Sequence, residues 1–238
     1  MPAHLRPTAP IAADTILPGD PKRAMELATR LIERPLMSNL SRGLWGYHGV
    51  RADGRELTVQ STGIGGPSAA VVLVELAQLG VRRAIRLGTC RALDPELSPG
   101  DSIVAEAALA SDGVGSELAS DEGSVTADPE LAAALAEVLP AARVGVVAST
   151  DLYYGRDPAV ARAWSAAGAL AVDLSAAAVL AVGRRSGVEV GCALLVAESA
   201  SGERLGDAEL DEAALALGAE AARALGAPRQ APEAASSS

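Results

Sequence analysis

Ser61-Thr62-Gly63-Ile64-Gly65-Gly66-Pro67-Ser68, an apolar run closing on Glu75-Leu76, then Val81 to Leu87 and Gly88-Thr89: this stretch decides the fold. Leu57 to Gln60 reads as a strand, the glycines as a tight turn, Ser68 to Gly80 as a helix and Val81 to Leu87 as a second strand, which makes a βαβ unit. A glycine turn lets an anion come close to the backbone, and a helix N-terminus offers amides and the positive end of a dipole. Arg86 stands among apolar residues at the end of the second strand, and burying it is costly unless an anion or a carboxylate meets it. The stretch therefore reads as the floor of an anion site. Two other readings stay open: a glycine turn kept for packing, and Arg86 paired with a structural carboxylate. A dinucleotide fingerprint is excluded because Gly63-x-Gly65 runs into Gly66-Pro67, and a P-loop because no Gly-Lys-Ser/Thr follows.

The chain around this unit has 238 residues, 49% of them hydrophobic, which suits one α/β domain over residues 1–226. With no Phe, two Trp and three Tyr, the core is expected to be Ala, Val and Leu, and a base-stacking nucleic-acid surface is not. A formal charge of −10 opposes binding to nucleic acid or to an anionic membrane, so any bound anion needs a local group of arginines. Cys90 and Cys192 sit in apolar settings, and Met1 to Asp14 has no apolar targeting core, so a reducing, cytoplasmic location is expected. Ser165 to Gly183 is apolar but alanine-rich and carries Asp173, so it reads as a strand entering a buried helix rather than a membrane span. The two histidines, His4 and His48, form no ligand cluster, and no metal is expected.

In chain order, Ile11 to Leu17 reads as a strand, and Asp20-Pro21 caps a helix continuing to Arg30. Asn39 to Gly49 reads as a strand, Arg51 to Arg55 as a hairpin turn and Glu56 to Gln60 as its partner strand. After the central unit come a strand Ser102 to Ala108, a polar loop Ser111 to Thr126, a helix from Asp128-Pro129 to Leu139 and a strand Arg143 to Ala148. A helix Asp157 to Ala167, a strand Ala169 to Asp173, a helix Ser175 to Ser186, a strand Val190 to Ala197 and a helix Glu209 to Leu225 follow. This alternation predicts a three-layer α/β fold, a mixed central sheet with helices on both faces, and residues 227–238 read as a disordered tail.

Ser61 to Leu76 resembles the signature of the nucleoside phosphorylase family that includes uridine phosphorylase and hexameric purine nucleoside phosphorylase, departing by Val71 where isoleucine is usual. The resemblance extends to Leu17-Pro18-Gly19-Asp20-Pro21-x-Arg23, to Arg86-Leu87-Gly88-Thr89 and to Ser149-Thr150-Asp151-Leu152-Tyr153-Tyr154, in the same order over most of the chain. It implies a phosphate site of Gly19, Arg23, Arg86 and Thr89, with Arg42 supplied by a neighbouring subunit, and Arg23 and Arg86 as the catalytic pair. It also implies that His4 reaches the ribose 5′-hydroxyl of the neighbour's site, so that the active unit is a dimer, or a hexamer built as a trimer of dimers.

On the sugar and base side the residues depart from the family. Asp173-Leu174-Ser175 stands where the family has Glu-Met-Glu, which makes Leu174 and Ser175 the sugar-side candidates, and Ser175 lacks the paired oxygens of a carboxylate. Cys90, Arg91, Tyr153 and Asp173 are the base-pocket candidates. Arg91 replaces the usual glycine, and either leans toward the base or folds outward onto Asp94 or Glu96. The uracil-reading Gln and Arg of one branch are not evident after Tyr154, and the aspartate of the other falls near Ser199 to Ser201. The resemblance implies phosphorolysis of a nucleoside, with inorganic phosphate as co-substrate and no cofactor. The departures keep open a non-catalytic phosphate- or nucleotide-binding member and a regulatory subunit.

Overall fold

The computed structural model describes residues 2–119, 123–155 and 157–226. β1 (Asp14–Pro18) leads into α1 (Pro21–Leu31), which starts where local chemistry dictates: Asp20 accepts the Arg23 amide at 2.8 Å and Pro21 fills the first turn. The single strand read over Asn39 to Gly49 is corrected. β2 (Glu33–Asn39) precedes it, the chain turns through one 3-10 turn at Ser41–Gly43, and β3 (Gly46–Val50) follows. β2 contains Pro35, is mostly exposed and shifts register between Glu33 and Leu36, so it shows no clean alternation; as the last strand of the sheet it tolerates the proline.

β4 (Glu56–Gln60) and α2 (Gly66–Gln78) are joined by the glycine turn, and β5 (Arg83–Ala92) runs past Leu87 through Gly88-Thr89. β6 (Ser102–Ser111) follows, and the polar segment after it is not simply a loop: it holds α3 (Gly113–Leu118) and β7 (Ser124–Thr126). α3 is fixed by Asp112, a buried cap that accepts the Gly115 amide at 2.9 Å. Asp128 caps α4 (Pro129–Val138), then come β8 (Arg143–Thr150), α5 (Pro158–Ala166), β9 (Ala171–Asp173), α6 (Ala176–Ser186), β10 (Glu189–Glu198) and α7 (Asp207–Ala221). The tail read over 227–238 lies outside the described residues.

The strands form one mixed sheet in the order β10-β6-β8-β9-β5-β1-β4-β3-β2, with β7 on β6. β10 also pairs with β5 along Glu189 to Glu198, so β5, β10, β6, β8 and β9 close into a ring. The closure depends on pairings distant in sequence, and periodicity alone does not show it. α2, α3 and α6 pack on one face over a core that includes Leu73, Leu76 and Leu180; α1, α4 and α7 cover the other, over Leu27, Leu135 and Leu217. Both layers are the aliphatic cores that the composition predicts. The apolar stretch around Asp173 is β9 and the wholly buried first turns of α6, and no helix among the described residues is long and apolar enough to cross a membrane.

Candidate active site

The ends of β1, β5 and β10, the glycine turn after β4, and the segments after β8 and β9 converge on a cavity of about 580 Å³. At its floor lies Arg86, only 7% exposed. Its Nε donates to Ser175 Oγ at 3.1 Å, and its Nη1 donates to the carbonyls of Leu87 at 2.7 Å and Leu17 at 3.2 Å. No carboxylate pairs with it among the described residues, so the structural-carboxylate reading of Arg86 is set aside. Gly88 makes this pose possible: a Cβ there would stand 3.0 Å from Arg86 Nη2 and 2.8 Å from Leu194.

Arg23 approaches the same floor from the first turn of α1. Its nearest acidic partner is Asp211, at 4.0 Å, which Lys22 already holds at 2.6 Å, and the buried Arg23 Nε has no hydrogen-bond partner. Burial pushes the Arg23 guanidinium below its ordinary pKa; Asp20 and Asp211 oppose this, while Arg86 adds to it. Two neighbouring cations with this little compensation make this part of the cavity favourable for an anion. Gly19 and the half-buried Thr89 line the same end of the cavity, and the Gly63 amide donates to the Gly19 carbonyl at 3.0 Å, tying the glycine turn to β1.

On the sugar side the structure brings Leu174 to the wall but not Ser175. Ser175 is 1% exposed behind Arg86 and positions that guanidinium, so its place among ligand-contacting residues is corrected. Asp173 lines the cavity, yet its carboxylate is engaged: Oδ1 accepts from Ser149 Oγ at 2.6 Å, and the Ser175 and Ala176 amides donate to it at 3.0 Å. It anchors the start of α6 rather than offering oxygens to a ligand. Cys90 lines the cavity although it is only 5% exposed, and burial, followed by Asp173 and Cys192, pushes its thiol pKa well above the usual value.

Arg91 does not fold outward, since Asp94 and Glu96 are held by Arg143; it lines the cavity, with its Nε 3.2 Å from Glu198 Oε1. Glu198 Oε2 lies 3.3 Å from Arg204 Nε, and Arg204 Nη2 donates to Tyr153 Oη at 2.9 Å. Sequence reasoning missed Glu198 and Arg204. The signal is present, since Glu198 follows the apolar run Val190 to Ala197 and is the last residue of β10, one beyond the strand that the apolar pattern predicts. The Ser199 to Ser201 segment is a local turn, with Ser199 Oγ and Ser201 Oγ 2.9 Å apart.

Arg42 and His4 lie outside this cavity. Arg42 is exposed in the turn between β2 and β3, with φ at 61°. His4 Nδ1 is 2.8 Å from Glu75 Oε1, and the buried Glu75 also accepts the amides of Ala3, His4 and Leu5.

Residues 15–227 match the model of the Phosphorylase superfamily. The chain is 35% identical over 185 residues to a guanosine phosphorylase of Halorubrum lacusprofundi, covering 74% of each chain. It is 32% identical over 195 residues to a DeoD-type purine nucleoside phosphorylase of Caldanaerobacter subterraneus, covering 79% of this chain and 84% of that one. A uridine phosphorylase of Escherichia coli is 38% identical over 143 residues, a match spanning 58% of this chain and 56% of that enzyme. Among solved structures, uridine phosphorylase from Vibrio fischeri superposes with a TM-score of 0.81 at 25% identity, over 90% of this chain and 91% of that one.

Proposed function

This chain belongs to the phosphorylase superfamily, and we propose that it is a nucleoside phosphorylase, which splits the N-glycosidic bond with inorganic phosphate into free base and sugar 1-phosphate. One observation carries this reading: the buried Arg86 and the largely buried Arg23 line the same cavity, and among the described residues no carboxylate pairs with Arg86 while Arg23 has only the influence of Asp20 and Asp211 at 4.0 Å. Phosphate supplies the missing charge and is at the same time the nucleophile. A phosphate oxygen bonds to C1′ as the glycosidic electron pair leaves with the base, which takes up a proton. The sugar passes through an oxocarbenium-like state, so the protein's task is to hold the anion beneath C1′ and orient the ribose. Water as nucleophile would gain nothing from two buried guanidinium groups.

The active unit in this reading is a homo-oligomer, at least a dimer. Arg42 and His4 lie outside their own chain's cavity, and they serve phosphate and sugar only across an interface; light scattering that shows a monomer would remove both from the site. The reading includes a cytoplasmic enzyme of one domain that needs no cofactor besides phosphate.

The sugar side favours a second reading, a non-catalytic phosphate binder, because Asp173 is committed to α6 and Ser175 is buried behind Arg86. The same feature means that ribose hydroxyls meet no carboxylate from this wall, so a phosphorylase reading expects poor turnover of ordinary uridine and inosine and little preference for ribose over deoxyribose. A nucleoside panel incubated with and without phosphate and read by chromatography separates the two. Release of base only with phosphate supports phosphorolysis; phosphate binding with no base released from any nucleoside supports the second reading.

A further inference from the structure

The nucleoside reading leaves the base end of the cavity without a task, and we infer that Arg91, Glu198 and Arg204 read the base by presenting donor, acceptor and donor in a row, which selects an imide edge of carbonyl, N–H and carbonyl. The inference rests on that reading of the cavity. The Glu198 carboxylate lies between the two guanidiniums, Oε1 3.2 Å from Arg91 Nε and Oε2 3.3 Å from Arg204 Nε. Each carboxylate oxygen keeps a second lone pair, and only the Nε of Arg91 is engaged among the described residues, so both kinds of group remain able to bond to a ligand.

The arrangement is built rather than incidental. Arg204 is fixed by Tyr153 Oη at 2.9 Å and by a backbone bridge to Glu198 itself. The turn between them is closed by the Ser199 amide donating to the Glu203 carbonyl at 2.8 Å. As a stability device the triad has little value, because the side chains of Arg91 and Arg204 are 52% and 59% exposed and exposed ion pairs contribute little. It lines the same cavity as Arg23 and Arg86, the proposed anion site. A carboxylate flanked by two arginines accepts from a ring N–H while the arginines donate to the carbonyls on either side. Uracil, thymine and xanthine carry that edge. Cytosine and adenine set a ring nitrogen lone pair against the carboxylate and an amino group against an arginine, which sets acceptor against acceptor and donor against donor.

Calorimetric titration of the full chain in phosphate buffer with uracil, cytosine, xanthine and adenine tests this, because each oxo base has an amino counterpart of its own ring size. In at least one of the two pairs the oxo base is expected to bind about tenfold or more tighter. Glu198→Gln should compress that ratio to near unity by offering an amide N–H to the ring nitrogen. Arg91→Met provides the second reading, weakening the oxo base while leaving the amino base unchanged. Equal binding within both pairs, no binding of any of the four, or ratios untouched in both variants would overturn the inference. If the ratios hold while no nucleoside is cleaved with phosphate, the phosphorylase reading fails and the edge reading stands; if cleavage occurs without the ratios, the reverse is true.

Discussion

Of the arginines that line the cavity, Arg86 is buried against carbonyls and a serine hydroxyl with no carboxylate in reach among the described residues, and Arg23 is compensated by Asp20 and by Asp211 at 4.0 Å, whereas Arg91 and Arg204 are half-exposed and share Glu198 between them. The same residue type therefore has two different chemistries. A buried guanidinium lacking a counter-ion is costly unless its charge is met by something that arrives, which is the ground for proposing an anion site there. An exposed, neutralised pair holds its geometry at small cost and discriminates by hydrogen-bond pattern instead. In the proposed reading the first group supplies affinity and transition-state stabilisation, and the second the choice of base.

The largest way to break this contrast is Arg86→Met. Removing a preorganised charged donor from the reacting centre should cut kcat/KM by about 10²–10³-fold in steady-state assays, and the rise in melting temperature given by phosphate should disappear with it. An undiminished rise would mean that the anion sits elsewhere. Ser175→Ala probes the same group, since it deletes the Oγ that accepts from Arg86 Nε at 3.1 Å. Losing one hydrogen bond to a charged group costs about 1.5–3 kcal/mol, to be seen as a raised KM for phosphate with base binding unchanged; weakened base binding instead would return Ser175 to the sugar and base side.

A smaller effect concerns the strut that presents His4. Glu75 is buried, which alone would raise its pKa, but the Leu5 amide, the His4 side chain and the Ala3 and His4 amides outweigh this and hold it below its ordinary 4.5. A carboxyl lowered in the folded state contributes stability above its unfolded pKa and loses it as pH falls through the folded value. Glu75→Gln should therefore cost on the order of 1–2 kcal/mol at neutral pH, and the gap to wild type in urea unfolding should close on acidification below the ordinary carboxylate range. A gap constant with pH would contradict it. Smallest of all, Arg204→Met should change unfolding stability by no more than about 0.5 kcal/mol while altering base preference; a large loss of stability would make the triad a structural brace.

Much of the fold was legible because its signals are local. Asp20-Pro21, Asp128-Pro129 and Asp157-Pro158 each start a helix within a residue of where cap chemistry puts it. β2 was not legible, because an exposed edge strand with Pro35 lacks alternation, and neither were α3 and β7, which depend on the buried Asp112 cap and on pairing with β6. The anion floor could be read from Arg86, a charge set among apolar residues of β5, and from the motif holding Arg23. The direction of a side chain could not: Ser175 and Asp173 turn inward to Arg86 and α6 because of what packs around them. Arg91 could not be assigned to Glu198, since their approach comes from the pairing of β5 with β10.

The most direct test of the contrast is a calorimetric titration of inorganic phosphate into the wild-type chain and into Arg86→Met, at low and at raised salt. The expected result is one phosphate bound per chain in the wild type, weakened by salt, and no measurable binding in the variant. Phosphate bound as tightly by Arg86→Met as by the wild type would contradict the assignment of the buried arginines to the anion.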